Sequence, residues 1–123
     1  TLIPYMAASG EMKTKPTQHS VKALLENGLQ PDILVLRAEH TLTTALKRKV
    51  ALFCNVDANA VMESIDVPTI YEVPIKMHEQ HLDEVVLDKL NLPADKEPDM
   101  AAWSAFVGKI KHPSKKIEIA LVG

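Results

Sequence analysis

Ile33-Leu34-Val35-Leu36 is a short, unbroken apolar run, the pattern of a parallel β-strand covered on both faces. Working outward from it, Val21, Leu24 and Leu25 upstream follow helical spacing, and Gly28 sits where a helix commonly ends in a left-handed residue. Downstream, Leu42, Leu46, Val50 and Phe53 recur at helical intervals, with Thr43 or Thr44 available as N-cap. Leu2 to Met6 reads as a further strand that Pro4 confines to an edge or to its own start. Val61 to Ile65 and Thr69 to Val73 are weaker strand candidates around Pro68. Helical spacing returns from Met77 to Leu90, and again at Trp103, Phe106, Val107 and Ile110, with Pro98 at the expected first turn. Strands alternating with helices predict an α/β layered fold with a mostly parallel sheet and flanking helices.

Composition bounds the function. At 123 residues with 46% hydrophobic and 24% charged residues, the chain is long enough for one core without covalent staples. The single cysteine, Cys54, excludes an internal disulfide and a Cys-based zinc cluster and fits a reducing compartment, so a cytoplasmic location is expected. No apolar run approaches the ~20 residues of a membrane span and no basic-then-apolar leader is present, which sets aside membrane and secretory classes. Aromatic residues make up 4%, too few for the stacking platforms of single-strand nucleic-acid binders. The net charge of −2 hides an asymmetry. Residues 1–49 carry seven Lys or Arg against four acids, and residues 50–123 carry seven against twelve, so an anion site is expected in the first half. The apolar segments at both ends, Thr1 to Ala8 and Ile117 to Gly123, lead us to expect an excised piece of a longer protein, with Ile117 to Gly123 a buried strand.

Chemistry concentrates in Gly10-Glu11-Met12-Lys13-Thr14-Lys15-Pro16-Thr17-Gln18-His19-Ser20, which joins the first strand to the first helix. Ligands of open α/β sheets bind beyond the carboxyl ends of strands, where this segment falls. It supplies two lysines, hydroxyls, an amide and the N–H groups of a helix start near Pro16, all suited to phosphate. The plain alternative is a solvated loop whose hydroxyls cap a helix.

The string from Gly10 to Lys22, followed by Gly28-Leu29-Gln30-Pro31-Asp32-Ile33-Leu34 and by Lys49-Val50-Ala51-Leu52-Phe53-Cys54-Asn55-Val56, closely resembles the CTP synthase family, densely over residues 1–75. The resemblance implies the C-terminal half of the synthetase domain at residues 1–91, in a P-loop-like fold whose N-terminal phosphate-loop half is missing. It further implies a linker with its helix at 92–116 and the first strand of the amidotransferase domain at 117–123. Members of that family use Mg-ATP to phosphorylate the 4-oxygen of UTP and displace the phosphate with glutamine-derived ammonia. By resemblance, Lys13, Thr14, Lys15, Pro16, Thr17, Gln18 and Lys49 bind UTP and the inhibitor CTP. Phe53 borders that pocket or belongs to the core. Ile65, Asp66 and Val67 lie beside ATP, with Ile65 where the family's pattern leads us to expect a basic residue, and Arg37 is an ATP neighbour by position. For Gln18 two readings stand, orientation of the uridine end or satisfaction of the first helical turn. The family forms tetramers, so a homo-oligomer is implied.

No G-K-[ST] phosphate loop, glycine-flanked nucleophilic cysteine or magnesium carboxylate set occurs, so the 123 residues alone are expected to make no CTP and to hold no catalytic or metal-binding residue. Cys54 reads as an inert core thiol. His78 and His81 read as a solvated helix face rather than a metal site, and Lys47-Arg48-Lys49 lacks the aromatic partners of a nucleic-acid patch. The competing reading is an oligomerisation module that binds no nucleotide by itself.

Overall fold

A computed structural model describes residues 1–123. Its elements are β1 (Tyr5–Met6), β2 (Glu11–Met12), α1 (Lys15–Glu26), β3 (Leu34–Ala38), α2 (Thr44–Cys54), β4 (Val61–Ile65), α3 (Val73–His78), α4 (Leu82–Lys89) and α5 (Ala101–Lys111). The fold is mixed α/β with short sheets, as the alternating pattern predicts.

The centre is β3. It pairs in parallel with β4, Leu34 opposite Val61 through Ala38 opposite Ile65. On its other side the first three residues lie parallel to it: Ile3 N–H donates to the Arg37 carbonyl at 2.9 Å, Arg37 N–H donates to the Thr1 carbonyl at 2.8 Å, and the terminal amine of Thr1 donates to the Val35 carbonyl at 3.0 Å. Parallel neighbours need crossovers, and two right-handed crossovers stepping in one direction put both helices on one face. Accordingly α1 and α2 cover the same side, where Ile3, Val21, Leu34, Leu36, Val50 and Cys54 form the main core. Burial raises the Cys54 thiol above its ordinary pKa, in keeping with an inert core cysteine. The opposite face is covered only near Ile33 and Met62, by Met77, Leu82 and Val85 of α3 and α4, which leaves Val35 39% exposed. The expected burial of this strand on both faces is therefore incomplete in this chain.

Other expectations change for identifiable reasons. Leu2 to Met6 is not one strand. Beyond the pairing of residues 1–3, the chain leaves the sheet at Pro4 and folds into an antiparallel hairpin, Tyr5 opposite Met12, whose turn holds Gly10 at φ +64°. Thr69 to Val73 forms no strand. Pro68 and Pro74 remove ladder donors on both sides, and Thr69 instead caps a 3₁₀ turn at Ile70–Glu72. Met77 to Leu90 is two helices, broken where His81 adopts φ +60°. The last helix starts at Ala101, three residues past Pro98, with Asp99 Oδ1 accepting from Ala101 N–H at 2.9 Å. Residues 117–123 have no strand partner and are exposed, Leu121 at 99%. Thr43 does cap α2, accepting from Leu46 N–H at 3.2 Å, and Gly28 follows α1 at φ +77°. No helix is long and apolar enough to cross a membrane.

The break before α4 serves the free edge of β4. Gln80 acts as a one-residue substitute strand: its Oε1 accepts from Glu63 N–H at 2.8 Å, while its Nε2 donates to the Glu63 carbonyl at 2.9 Å and to the Lys76 carbonyl at 3.0 Å. Glu63 in turn accepts from Leu42 N–H at 2.7 Å and faces Lys47 at 3.7 Å, which ties the start of α2 to the sheet. Stranded backbone groups cost about 1–3 kcal/mol each. Gln80→Ala is therefore expected to lower stability by roughly 2–4 kcal/mol in urea unfolding, since two Glu63 groups lose their partner. Gln80→Glu should not restore it at neutral pH, because a carboxylate cannot donate to the two carbonyls; a Glu variant as stable as the parent would refute this account of the edge.

Candidate functional site

Two grooves open beyond the carboxyl ends of the strands and the first helix start. The first, about 620 Å³, is lined by Glu11, Met12, Lys13, Thr14, Lys15 and Lys49. Its floor is the descending arm of the hairpin and the first residue of α1, and α2 delivers Lys49 from the adjacent helix. No side chain caps α1, since the Thr14 hydroxyl accepts from Gln18 Nε2 at 3.1 Å instead. An uncapped helix start beside three lysines is a favourable environment for a polyanion. Glu11 is the one acid in the groove. Its carboxylate accepts from Lys13 Nζ at 2.5 Å, and this hydrogen bond, with the charges of Lys13 and Lys49, holds its carboxyl below the ordinary glutamate pKa. The pair therefore persists at neutral pH and is lost only when acidification passes that lowered value.

Of the residues expected around the triphosphate, Lys13, Thr14, Lys15 and Lys49 share this groove. Thr17 is buried, and its hydroxyl donates to the Leu2 carbonyl at 2.8 Å, locking the helix start onto the N-terminal strand segment. Gln18 is half-buried beneath Thr14, with its amide donor engaged there and its carbonyl oxygen free of protein partners. Pro16 is exposed in the first turn of α1. Phe53 is 62% exposed, one turn beyond Lys49 on the same face of α2, so its helical spacing with Leu42, Leu46 and Val50 does not place it in the core. Val50, Ala51 and Cys54 take the buried stripe, which rotates Phe53 outward. Sequence reasoning assigned Glu11 no part in this groove, although its place two residues before Lys13 in a hairpin arm is the signal: alternate strand positions share a face.

The second groove, about 350 Å³, is lined by Arg37, Ser64, Ile65, Asp66, Val67, Ile70 and Val73. All four residues expected near ATP are thus brought together. Arg37, opposite Ser64 in the sheet register, donates to the Ser64 carbonyl at 3.1 Å and forms an ion pair with Asp66. Ile70 and Val73 join through the 3₁₀ turn that was expected to be a strand, which is why the sequence did not mark them.

The carboxylates of the two grooves, Glu11 and Asp66, are each engaged by a cation. His78 pairs with Asp83 at 3.0 Å and His81 with Glu84 at 2.8 Å, without converging, and no group of three His, Cys, Asp or Glu residues is placed to hold a metal ion. The residues of this chain do not by themselves fit a magnesium centre. Lys47 reaches β4 rather than extending a basic patch with its neighbours.

Residues 1–92 match a family model described as CTP synthase N-terminus. Over its whole length the chain is 58% identical to a CTP synthase of Cytophaga hutchinsonii, 55% to one of Flavobacterium johnsoniae and 54% to one of Bacteroides fragilis. The chain spans about 23% of the length of these curated relatives. The unit matched is the family's N-terminus, which corrects the expected C-terminal half, and the expected missing N-terminal half, to that coarser placement. With a family model covering most of its residues and relatives above half identity along all of it, the chain belongs to the CTP synthase family.

Proposed function

We propose that this chain contributes the UTP- and CTP-binding groove and part of the ATP-binding groove of a glutamine-hydrolysing CTP synthase, an enzyme that aminates UTP at the expense of ATP. The observation that carries the reading is the convergence of Lys13, Lys15 and Lys49 on one open groove at an uncapped helix start. Lysines act there as point charges for a triphosphate, and hydrogen bonds to charged groups contribute about 1.5–3 kcal/mol each. Thr14 and Pro16 shape the helix start. Thr17 acts through the backbone it fixes, and Gln18 offers its free carbonyl oxygen toward the nucleoside end. Phe53, exposed beside Lys49, borders the same nucleotide. Arg37, Asp66 and Val67 border ATP, with Ile65 offering an apolar wall where a basic side chain was expected. In this reading Mg²⁺ accompanies ATP and is held by groups outside the chain. Residues 1–91 belong to the synthetase domain, 92–116 are the linker with its helix, and 117–123 lead into an amidotransferase domain. Exposed Leu52 beside Phe53 supports a homo-oligomeric assembly.

Binding of UTP and CTP, followed by calorimetry on this chain and on the longer protein, tests the reading. Lys15→Ala and Lys49→Ala are expected to weaken both nucleotides together by about 1.5–3 kcal/mol. Lys13→Ala should cost less, because Glu11 already offsets its charge. UTP and CTP affinities unchanged from the parent in all three variants would show that the lysines are only a solvated face.

Glu11→Gln removes the one competing anion, and it is expected to tighten triphosphate binding several-fold at low salt, with the gain fading as ionic strength rises. Weaker binding in Glu11→Gln would mean that Glu11 holds Lys13 in place rather than competing with the ligand.

Gln18→Ala is expected to reduce UTP affinity without changing the salt dependence of binding, whereas the lysine variants flatten it, because screening acts on exposed charges. If Gln18→Ala leaves UTP affinity intact, the amide only braces Thr14.

A further inference from the structure

The 3₁₀ turn at Ile70–Glu72 has two faces. Ile70 and Val73 form a wall of the Arg37–Asp66 groove. Tyr71 and Glu72, between them, hold α5. The Tyr71 carbonyl accepts from Trp103 Nε1 at 2.8 Å, and its ring meets Phe106 edge-on at 5.2 Å and Trp103 at 6.3 Å. Trp103 and Phe106 pack on each other at 5.6 Å. Glu72, whose side chain is only 14% exposed, accepts from Lys111 Nζ at 2.9 Å, and its second carboxylate oxygen is buried with no partner. A carboxylate this poorly hydrated depends on the cations beside it, Lys111 in direct contact and Lys76 one helical turn along, since an uncompensated buried charge is costly.

Little else is buried on α5. Val107 is its one fully buried residue, and the stretch that leads to it from α4, residues 91–99, is exposed throughout. The docking of α5 therefore rests largely on the aromatic trio and the Lys111–Glu72 pair. An element with so few buried contacts lies at the low end of local stability, where a modest change at its socket shifts its population.

We infer that α5 is a positioning element for the ATP groove, with Trp103, Phe106 and Lys111 setting the 70–72 turn whose other face is the groove wall. Docked α5 holds Ile70 and Val73 in place through a backbone hydrogen bond at Tyr71 and an ion pair at Glu72. A nucleotide that needs that wall binds the docked form better, and by linkage it favours docking by the same factor. The inference rests on the assignment of this groove to ATP.

Trp103 is the sole tryptophan, so docking has an intrinsic reporter. ATP binding to the 123-residue chain is measured by equilibrium dialysis, which does not depend on Trp103, and acrylamide quenching of Trp103 is followed with and without ATP. Lys111→Met and Phe106→Ala break the clasp, and Lys109→Met, which removes the same charge from α5 at an exposed position, is the control. The expected result is that ATP protects Trp103 from quencher and that both clasp variants bind ATP about five-fold or more weakly than the control, the lower end of usual coupling strengths. ATP binding with unchanged quenching and equal affinity in the clasp variants would overturn the inference while leaving the groove's assignment intact. No ATP retained in dialysis by the unmodified chain, together with an ATP affinity of the longer protein that is unchanged by Arg37→Ala and Asp66→Ala, would overturn the assignment, and the inference with it; where the longer protein alone retains ATP, the same clasp and control variants are compared in it, with equal affinity overturning the inference.

Discussion

Parallel pairing on both sides of β3 is the constraint from which the rest of the chain takes its place. Neither neighbour is reachable by a tight turn, so each requires a crossover, and right-handed crossovers in one direction lay α1 and α2 side by side over one face. That adjacency is what brings Lys49 of α2 to the groove that opens at Lys13 and Lys15, over thirty residues earlier in the chain. The Thr17 hydroxyl completes the arrangement by fixing the start of α1 to the carbonyl of Leu2. A groove with an excess of positive charge is thus a consequence of sheet topology, with lysines added at the points where two helices meet.

The electrostatics of the two grooves differ in kind. Around α1 the positive charges exceed the negative, with Glu11 matched to Lys13 and leaving Lys15 and Lys49 for a ligand. In the second groove Arg37 is already matched by Asp66, and the other walls are largely apolar. The first suits the phosphates of a nucleotide. The two internal ion pairs, Glu11–Lys13 and Arg37–Asp66, are themselves solvent-exposed, so each contributes little to stability and can yield to a ligand.

Turns do as much as regular elements in this fold. The left-handed residue at His81 stops a helix so that Gln80 can seal the edge of β4, and the proline-flanked turn at Ile70–Glu72 is shared between a groove and a helix. In each case a side chain or turn supplies hydrogen bonds that a longer regular element would have left unmade, because buried backbone polar groups must be paired by something.

The sequence by itself determined the class of fold, the strands at β3 and β4, the helices α1 and α2 with the Thr43 cap and the Gly28 stop, the location of positive charge, and the family. These are local or compositional properties: apolar runs, period 3.6, cap chemistry, and strings of residues compared one by one. The tertiary structure alone decided the hairpin at Tyr5–Met12, the outward turn of Phe53, the burial of Thr17, the pairing of Glu11 with Lys13, and the conversion of Thr69 to Val73 from a candidate strand into a turn gripping α5. Each depends on what lies across from a residue rather than beside it in the chain. Helical spacing names a stripe of candidates, but only the neighbouring sheet selects which of them face inward, and a proline-flanked apolar run becomes a strand only where a partner offers it a ladder.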